Sequence, residues 1–443
     1  MKQSILIKGG TLLTMDKQDA IVRGDLLIRD GVIASIGETG PTADIVIDAV
    51  GCAVLPGFVQ THIHLCQTLF RGAADDLPLL AWLKERVWPM EAVHTGASIK
   101  ASANLGIAEL IKGGTTSALT METVNYTEEV FKVVKDSGFR ATVGKCMMDK
   151  GDDVPDALHE DTEASIKESL ALLEAWHGEA EGRIRYCFAP RFALSCTAEL
   201  LTRVAQLARE RNVMVHTHAS ENRNECALVE SETGLRNVAY LDSIGLSGRH
   251  VVLAHCVHLD AAEFETIANT STNVSHCPSS NLKLGSGIAE ITRMLDSGIS
   301  VSLGADGAAC NNRLDMFTEM RSMALLQKAM HGPEVISARQ ALHIATIGGA
   351  RALGLEKQIG TLELGKLADV IVVNLDSLHS TPNSSDPTST LVYSGQTSDV
   401  RSVVIDGRVV MKDRELLTLD ESSVVQNANR EAVELIKRAG IDG

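Results

Sequence analysis

The chain has 443 residues, of which 44% are hydrophobic, and a formal net charge of −16. This length and composition allow one large α/β domain with a buried core and a smaller second domain. The acidic balance and the lack of a Lys/Arg cluster argue against a nucleic-acid partner. No apolar run reaches the roughly 20 residues of a membrane span, and MKQSILIKGG lacks the layout of a signal peptide. We therefore expect a cytoplasmic protein without a membrane partner.

Nine cysteines are scattered along the chain, mostly inside apolar runs, and none belongs to a CxxC pair. An odd number without such pairing is typical of free thiols in a reducing compartment. We expect these cysteines to be buried and unpaired.

Both ends of the chain carry short apolar or alternating runs separated by turn residues, which predict β-strands. The runs lie at residues 5–15, 20–37 and 43–49, and at Gly360–Leu364, Asp369–Asn374, Val400–Ile405 and Arg408–Met411. The simplest topology combines residues 1–56 and 358–443 into one small β-sandwich domain, with a helix at the C-terminal end.

Between these segments, apolar runs alternate with helical stretches such as Ser98–Lys112 and Ser337–Leu353, the pattern of a parallel α/β fold. Eight runs are predicted to be strands: Gly57–His64, Thr115–Met121, Arg140–Cys146, Arg183–Pro190, Val213–His218, His250–His255, Asn273–His276 and Ser300–Asp306. Eight strand–helix units predict a TIM (β/α)8 barrel over residues 57–357. In such barrels the active site lies at the C-terminal ends of the strands.

Histidines and acidic residues stand where several of these strands end. His62 and His64 are two residues apart, so in a strand they project to the same face. The fifth predicted strand ends with His216 and His218, and Glu221 follows three residues later. The sixth predicted strand ends with His255, and the eighth ends with Asp306. A barrel brings all its strand ends to one mouth, so the pair on strand one, one histidine of strand five and Asp306 could bind one divalent cation.

Three imidazoles and one carboxylate leave a coordination position for water, as in catalytic metal sites. A metal ion makes water nucleophilic near neutral pH. Glu221 lies just beyond its strand and could carry the proton, while His255 and Asp306 could orient the water and accept its proton in turn. The pattern predicts metal-dependent hydrolysis. A protein that kept the fold only for binding should lack a ligand or Glu221, and none is missing.

The chain contains, in order, the motifs PGFVQTHIHL, HASE, AHCVHLD, SHCPSSNLKLGSGIA, LGADGAACNN and GTLELGKLADVIVVN. With these motifs it resembles the amidohydrolase superfamily, in its mononuclear deaminase and chlorohydrolase branch, over essentially its whole length. The resemblance implies one divalent metal ion, Zn²⁺ or alternatively Fe²⁺, with the ligands His62, His64, His218 and Asp306. It also implies Glu221 as proton shuttle, His255 as the residue that assists the water, and His216 facing away from the metal. Binuclear members carry a carboxylated lysine at the end of strand four, where this chain has Pro190-Arg191-Phe192.

Residues expected near the barrel mouth point to two substrate classes. Leu77–Glu91 resembles a segment of the deaminases that act on 5′-deoxyadenosine, methylthioadenosine or S-adenosylhomocysteine; there Glu91 would contact the ribose hydroxyls and Trp82 would contact the substrate. Gln67, Arg191 and Phe192 resemble residues of guanine deaminase that hold and pack the base.

Deamination of an adenine nucleoside is our main prediction for the reaction. Deamination of guanine or a related purine or pterin, and triazine amino or chloro hydrolysis, are the alternatives. By analogy with the superfamily we expect a homodimer or tetramer.

Overall fold

The computed structural model describes residues 3–37 and 42–441. Numbered in chain order, its β-strands are β1 (Ile5–Leu13), β2 (Ile21–Arg29), β3 (Val32–Gly37), β4 (Ile45–Asp48), β5 (Cys52–Pro56), β6 (Phe58–His64), β7 (Thr115–Met121), β8 (Arg140–Met147), β9 (Ile184–Pro190), β10 (Met214–Ala219), β11 (Val251–His255), β12 (Asn273–His276), β13 (Ser300–Leu303), β14 (Asp306–Gly307), β15 (Val370–Asn374), β16 (Val400–Ile405), β17 (Arg408–Lys412) and β18 (Glu415–Leu416).

The α-helices are α1 (Leu79–Trp82), α2 (Trp88–Ala92), α3 (Gly96–Lys112), α4 (Thr127–Ser137), α5 (Thr162–Trp176), α6 (Ala198–Arg211), α7 (Arg223–Thr233), α8 (Asn237–Ser243), α9 (Ala261–Thr270), α10 (Pro278–Lys283), α11 (Ile291–Asp296), α12 (Met316–His331), α13 (Ala338–His343), α14 (Gly349–Ala352), α15 (Thr388–Tyr393) and α16 (Glu421–Ala439). Two π-helical turns, Leu83–Val87 and Ile344–Gly348, join α1 to α2 and α13 to α14. Among residues 3–37 and 42–441, every helix falls short of the length and apolarity that crossing a lipid bilayer requires.

The strands from the two ends of the chain form one sheet. Its order is β18-β17-β16-β15-β5-β1-β2-β3, with β4 paired to β1. N-terminal and C-terminal strands meet where β5 runs antiparallel to β15, with Pro56 opposite Val370 and Cys52 opposite Asn374. Aliphatic side chains such as Ile7, Leu12 and Val372 pack together on this sheet. The predicted union of the two chain ends is confirmed, while the domain limits themselves (1–56, 57–357 and 358–443) stay a prediction.

The segment Gly360–Leu364, predicted as a strand, is irregular instead. Gly360 and Gly365 have φ angles of 90° and 82°, a backbone conformation that breaks a β ladder and that glycine adopts without steric cost. The segment contacts the sheet through single bonds, such as Leu362 N–H to the Thr14 carbonyl at 2.8 Å. The prediction of a strand there is wrong because these glycines turn the chain.

The middle of the chain forms the predicted parallel barrel, in the order β6 to β13. The first seven strands lie within one residue of their predicted limits. The eighth is interrupted after β13 and resumes as β14, where Asp306 and Gly307 pair with Ile63 and His64 of β6 and close the barrel. Gly304 allows this passage, because a Cβ atom there would lie 2.6 Å from the His62 carbonyl oxygen.

A buried ion pair joins the barrel to the terminal sheet. Arg140, the first residue of β8, donates from Nε and Nη2 to the two carboxylate oxygens of Asp369 at 2.7 and 3.0 Å. The backbone N–H of Asp406 donates to the same carboxylate at 2.7 Å. The pair lies at the N-terminal end of the barrel strands, opposite the mouth.

The nine cysteines are all buried and free, as predicted from their spacing.

Candidate active site

Five predicted residues converge at the C-terminal ends of the barrel strands. The Nε2 atoms of His62 and His64 each lie 3.2 Å from Oδ1 of Asp306. One nitrogen from each of His62, His218 and His255 lies within 4.8 Å of the others, and the same limit holds for the ligand atoms of His62, His64 and Asp306. The structure therefore brings together the four predicted ligands, with His255 beside them.

The outer nitrogens of three site histidines are bound to oxygen acceptors of the protein. A carbonyl or amide oxygen can only accept, so in each neutral ring Nδ1 carries the proton and Nε2 keeps its lone pair. Burial lowers the pKa of His218 and of His255, which favours their neutral forms. Nδ1 partners are the Met121 carbonyl for His64 (2.7 Å), the Arg191 carbonyl for His218 (2.6 Å) and Asn281 Oδ1 for His255 (2.8 Å). Such outer contacts orient imidazoles that ligate metals.

His62 is oriented by a second histidine. His216 donates from Nδ1 to the Val252 carbonyl at 3.0 Å, so its Nε2 accepts from Nδ1 of His62 at 2.7 Å. This relay leaves Nε2 of His62 unprotonated and directed at the centre of the cluster. The resemblance implies that His216 faces away from the metal. In the structure its ring lies directly behind His62, with 4.8 Å between centroids, and its Nε2 contacts His62 and not the centre of the cluster.

Asp306 is held by two donors. Its Oδ2 accepts from Ser280 Oγ at 2.6 Å, and its Oδ1 accepts from the backbone N–H of Gly307 at 2.7 Å. Burial alone would raise the pKa of Asp306, but His62 and His64 outweigh burial and hold that pKa well below its usual range. The group is therefore a carboxylate, the form that ligates a metal ion.

Glu221 has the environment of a proton carrier. Its Oε2 lies 3.5 Å from Nε2 of His255, and Ser286 Oγ lies 3.5 Å from its Oε1. Burial, together with the negative charges of Asp306 and Glu225, raises the pKa of Glu221 well above its usual range. A carboxyl group with a raised pKa can hold a proton and later release it near neutral pH.

Two residues of this cluster have strained backbones. The φ angles are 73° at His255 and 65° at Asp306, in the left-handed region that residues other than glycine seldom adopt. Such conformations cost of the order of 1–3 kcal/mol each and concentrate at functional sites. Here they occur at two strand ends that point side chains into one cluster.

A cleft opens onto this cluster, and His64, His218, Glu221 and Asp306 lie in its wall. Four of the five predicted substrate-binding residues line it: Gln67, Trp82, Arg191 and Phe192. Leucines from the α1 segment and from the loop after α10 supply further apolar wall.

Glu91, the fifth predicted substrate-binding residue, is not among the residues that line this cavity. Its carboxylate is 1% exposed and forms a two-pronged ion pair with Arg191, at 2.6 and 3.2 Å. Burial alone would raise the pKa of Glu91, but the charge of Arg191 lowers it. Glu91 is thus close to the cavity but behind its wall.

Several residues that hold the site in place are not predicted from the sequence. Ser280 and Asn281 lie within the motif SHCPSSNLKLGSGIA, which was their available signal. Glu225 accepts from the backbone N–H of Glu221 at 2.8 Å. For the hydrogen bond from His62 to His216, the HxH spacing of strand five was the one feature of the sequence that could have predicted it.

The donor set fits a divalent metal ion. Nε2 of His62 and Nε2 of His255 are buried and have no hydrogen-bond partner among the described residues, a situation that folded proteins seldom leave uncompensated. Imidazole nitrogens and one carboxylate are the donors of catalytic zinc sites.

Comparison with known proteins agrees with this geometry. Residues 53–410 match the model of the amidohydrolase family. A 5′-deoxyadenosine deaminase from Methanothermobacter thermautotrophicus is 42% identical, over 98% of this chain and 99% of its own. A 5-methylthioadenosine/S-adenosylhomocysteine deaminase from Pelotomaculum thermopropionicum is 39% identical over 98% and 99%. The solved adenosine deaminase from Xanthomonas campestris with bound zinc superposes with a TM-score of 0.92 at 32% identity, covering 98% of each chain. Because the family model matches most of the chain and these relatives are similar over nearly its whole length, the chain belongs to the amidohydrolase family.

Proposed function

We propose that this protein is a metal-dependent aminohydrolase that deaminates the base of adenine nucleosides of the 5′-deoxyadenosine, methylthioadenosine and S-adenosylhomocysteine class. The observation that carries the proposal is the cluster of His62, His64, His218 and Asp306, with Glu221 and His255 beside it, at the end of a cleft that also carries the predicted base-binding residues. Full-length similarity to deaminases of such nucleosides supports the choice of substrate.

The four-residue cluster would hold one divalent ion, Zn²⁺ in the first place. A bound ion would supply Lewis acidity and lower the pKa of water. Nitrogen-rich donors favour Zn²⁺, although Fe²⁺ shares this ligand preference. The zinc in the Xanthomonas campestris structure supports the same choice.

Glu221 and His255 would perform the proton transfers. Glu221 accepts the proton of the attacking water, and His255 orients that water, since its Nε2 lies 3.5 Å from Glu221 and 3.8 Å from Oδ2 of Asp306. The water oxygen bonds to C6 of the purine as the C6=N1 double bond opens, and Glu221 passes the proton that it accepted to N1. The remaining hydroxyl proton moves to the amine, the bond from C6 to that amine breaks to release ammonia, and C6=O forms. The product is the corresponding 6-oxopurine nucleoside.

The remaining cavity residues would hold the base. Phe192 and Trp82 supply aromatic surface for the purine ring, and Gln67 and Arg191 supply polar groups for its edge. Leu79, Leu83 and Leu284 add apolar surface to the wall, which favours a ligand with a flat ring.

A substrate panel tests the proposal. Purified protein with measured metal content is assayed for ammonia release from 5′-deoxyadenosine, methylthioadenosine, S-adenosylhomocysteine, adenosine, guanine, 8-oxoguanine and melamine. We expect the highest kcat/KM with a 5′-modified adenine nucleoside and one equivalent of metal per chain. A preference for guanine of more than about tenfold, or roughly 1.4 kcal/mol, would contradict the proposal and favour a guanine deaminase.

We further infer a cytoplasmic homo-oligomer, a dimer or tetramer. Buried free thiols suit a reducing compartment, and oligomers are expected by analogy with the superfamily. Light scattering on the purified protein measures the subunit count, and a monomer would contradict the inference.

A further inference from the structure

The carboxylate of Glu91 is fully engaged by protein donors. Arg191 donates from Nη1 to Oε2 at 2.6 Å and from Nη2 to Oε1 at 3.2 Å. Gln67 Nε2 donates to Oε1 at 2.9 Å, and Thr123 Oγ1 donates to Oε2 at 3.4 Å. Two oxygens that each accept twice use the roughly four acceptor positions of a carboxylate. No acceptor position is left for the hydroxyls of a ligand.

We propose that Glu91 is a positioning residue that fixes the hydrogen-bonding pattern of the base-binding wall, in place of the ribose contact that its sequence context predicts. Through Arg191 it presents N–H donors to the base, and through Gln67 it presents an acceptor. The inference rests on the proposed function, since it assigns a role in binding the purine.

Gln67 shows how the orientation is imposed. An amide side chain can present either its oxygen or its NH₂ group to a given side, but a carboxylate accepts only, so Nε2 must face Glu91. Oε1 is then directed away from Glu91, and this buried atom has no hydrogen-bond partner among the described residues. A Cβ atom on Gly307 would lie 2.1 Å from Oε1. The acceptor therefore lies against Gly307, the residue after Asp306, and Gln67 and Asp306 line the same cavity, so an N–H of the purine would meet it there.

Arg191 supplies the complementary donors. Its side chain is 4% exposed and its ion-pair partner Glu91 is 1% exposed, so the guanidinium is held by a fully buried contact. Two of its N–H groups bind Glu91, and Nη1 also contacts the sulfur atoms of Cys146 and Met148 at 4.0 and 3.8 Å. Nε–H and the second N–H of Nη2 are the donors left for a ligand, and Arg191 lines the cavity. Adenine offers ring nitrogens as acceptors and its amino group as a donor. One arginine donor and one glutamine acceptor match that pattern.

A substrate without the ribose diol separates the two roles of Glu91. We would measure kcat/KM for 5′-deoxyadenosine and for its 2′,3′-dideoxy analogue with the wild type, E91Q and, as a matched control, E85Q at an exposed position of the same segment. For a positioning role, E91Q should lose about tenfold or more on both substrates, so that the ratio between them stays as in the wild type. If the ratio of kcat/KM for 5′-deoxyadenosine to kcat/KM for the dideoxy analogue falls to near one in E91Q alone, Glu91 binds the diol and the proposal is overturned.

An unpaired buried arginine can destabilise a variant, so the charge-free pair E91Q/R191M serves as a second variant. The ratio between the two substrates should also be unchanged in this variant. The loss of kcat/KM in the double variant should be smaller than the product of the losses in E91Q and R191M alone, because coupled residues act as one unit. Losses that multiply would overturn the proposal.

Ring-nitrogen analogues add a readout that a purely structural role of Glu91 would not change. The wild type and E85Q should discriminate against either the 3-deaza or the 7-deaza analogue of 5′-deoxyadenosine by about tenfold, and E91Q should lose that discrimination. Equal discrimination in the wild type and E91Q would overturn the proposal. A wild type that is inactive on 5′-deoxyadenosine would instead contradict the proposed function, which keeps the two failures apart.

Discussion

His62 and His216 form a direct imidazole–imidazole hydrogen bond, 2.7 Å from Nδ1 of His62 to Nε2 of His216. Because His216 also donates to a backbone carbonyl at 3.0 Å, the proton positions of both rings are determined by the fold. One nitrogen of His62 is thereby reserved for the metal centre.

Replacing His216 should weaken metal binding without removing a ligand. His216→Phe deletes the acceptor for His62 Nδ1, so His62 is no longer held in its ligating tautomer. We expect metal affinity to fall by about 10- to 100-fold, the usual effect of losing an outer-shell partner, as measured by competition with a chelator. His276→Phe is the matched control, since His276 is equally buried but has no hydrogen-bond partner for either nitrogen among the described residues. Equal effects of the two changes would contradict the relay.

Glu221→Gln should separate catalysis from metal binding. The amide preserves the shape of the side chain but cannot shuttle a proton, so kcat should fall by at least about 100-fold. Metal content, measured by elemental analysis of the same preparation, should stay at the wild-type level. Unchanged turnover in a metal-replete E221Q protein would refute the assigned role.

Glu319 should make stability depend on pH. Burial raises its pKa from 4.5 to about 7, so between these values the folded protein keeps a proton that the unfolded chain has lost. The free energy of unfolding should therefore decrease as the pH rises through this window. One pKa unit corresponds to about 1.4 kcal/mol, so E319Q, which cannot ionise, should gain about 1–3 kcal/mol relative to wild type between pH 5 and pH 8.

Urea unfolding at both pH values measures this difference. The control is E265Q, at an exposed position on α9, which should follow the wild type at both pH values. A constant difference between E319Q and wild type would show that Glu319 ionises alike in the folded and unfolded chain.

Asp369→Ala should destabilise the protein strongly. It removes the two-pronged partner of the buried Arg140 guanidinium and leaves it the longer contact with Asp406 at 3.5 Å, and removing one partner of a buried ion pair costs about 3–5 kcal/mol. Asp153→Asn, which breaks an exposed pair with Lys84, should cost less than about 1 kcal/mol. Denaturant unfolding compares the two. Kinetic constants of folded Asp369→Ala should be unchanged, because the pair lies at the opposite end of the barrel from the mouth.

The barrel and the metal cluster were predictable because both depend on local patterns. Strands buried on both faces appear as continuous apolar runs, and the residue that ends each strand can be read directly from the sequence. His64 ends β6, His62 lies two residues before it, and Asp306 follows β13 at the start of β14. The HxH of strand five was ambiguous because both histidines face the same side, and only the fold shows that His216 lies one layer deeper than His218.

The wall of the cavity was less predictable, because it depends on contacts between distant segments. Glu91 and Arg191 are 100 residues apart, and no periodicity indicates which buried charges will meet. A carboxylate that the sequence suggests as a ligand contact can already be paired with a neighbouring side chain in the folded protein. The same limit applies to Gly360–Leu364, where a suitable apolar composition gave a strand prediction that two glycine turns prevent.

The two edges of the barrel meet where Asp306 and Gly307 pair with Ile63 and His64. Asp306 and His64 are predicted ligands from opposite sides of this seam. A shared ion would therefore join the two strands of the closing edge, with the effect of a reversible cross-link between residues far apart in the chain. Chelation should consequently open the seam before the rest of the barrel, and amide hydrogen exchange should accelerate first at residues 62–64 and 304–307.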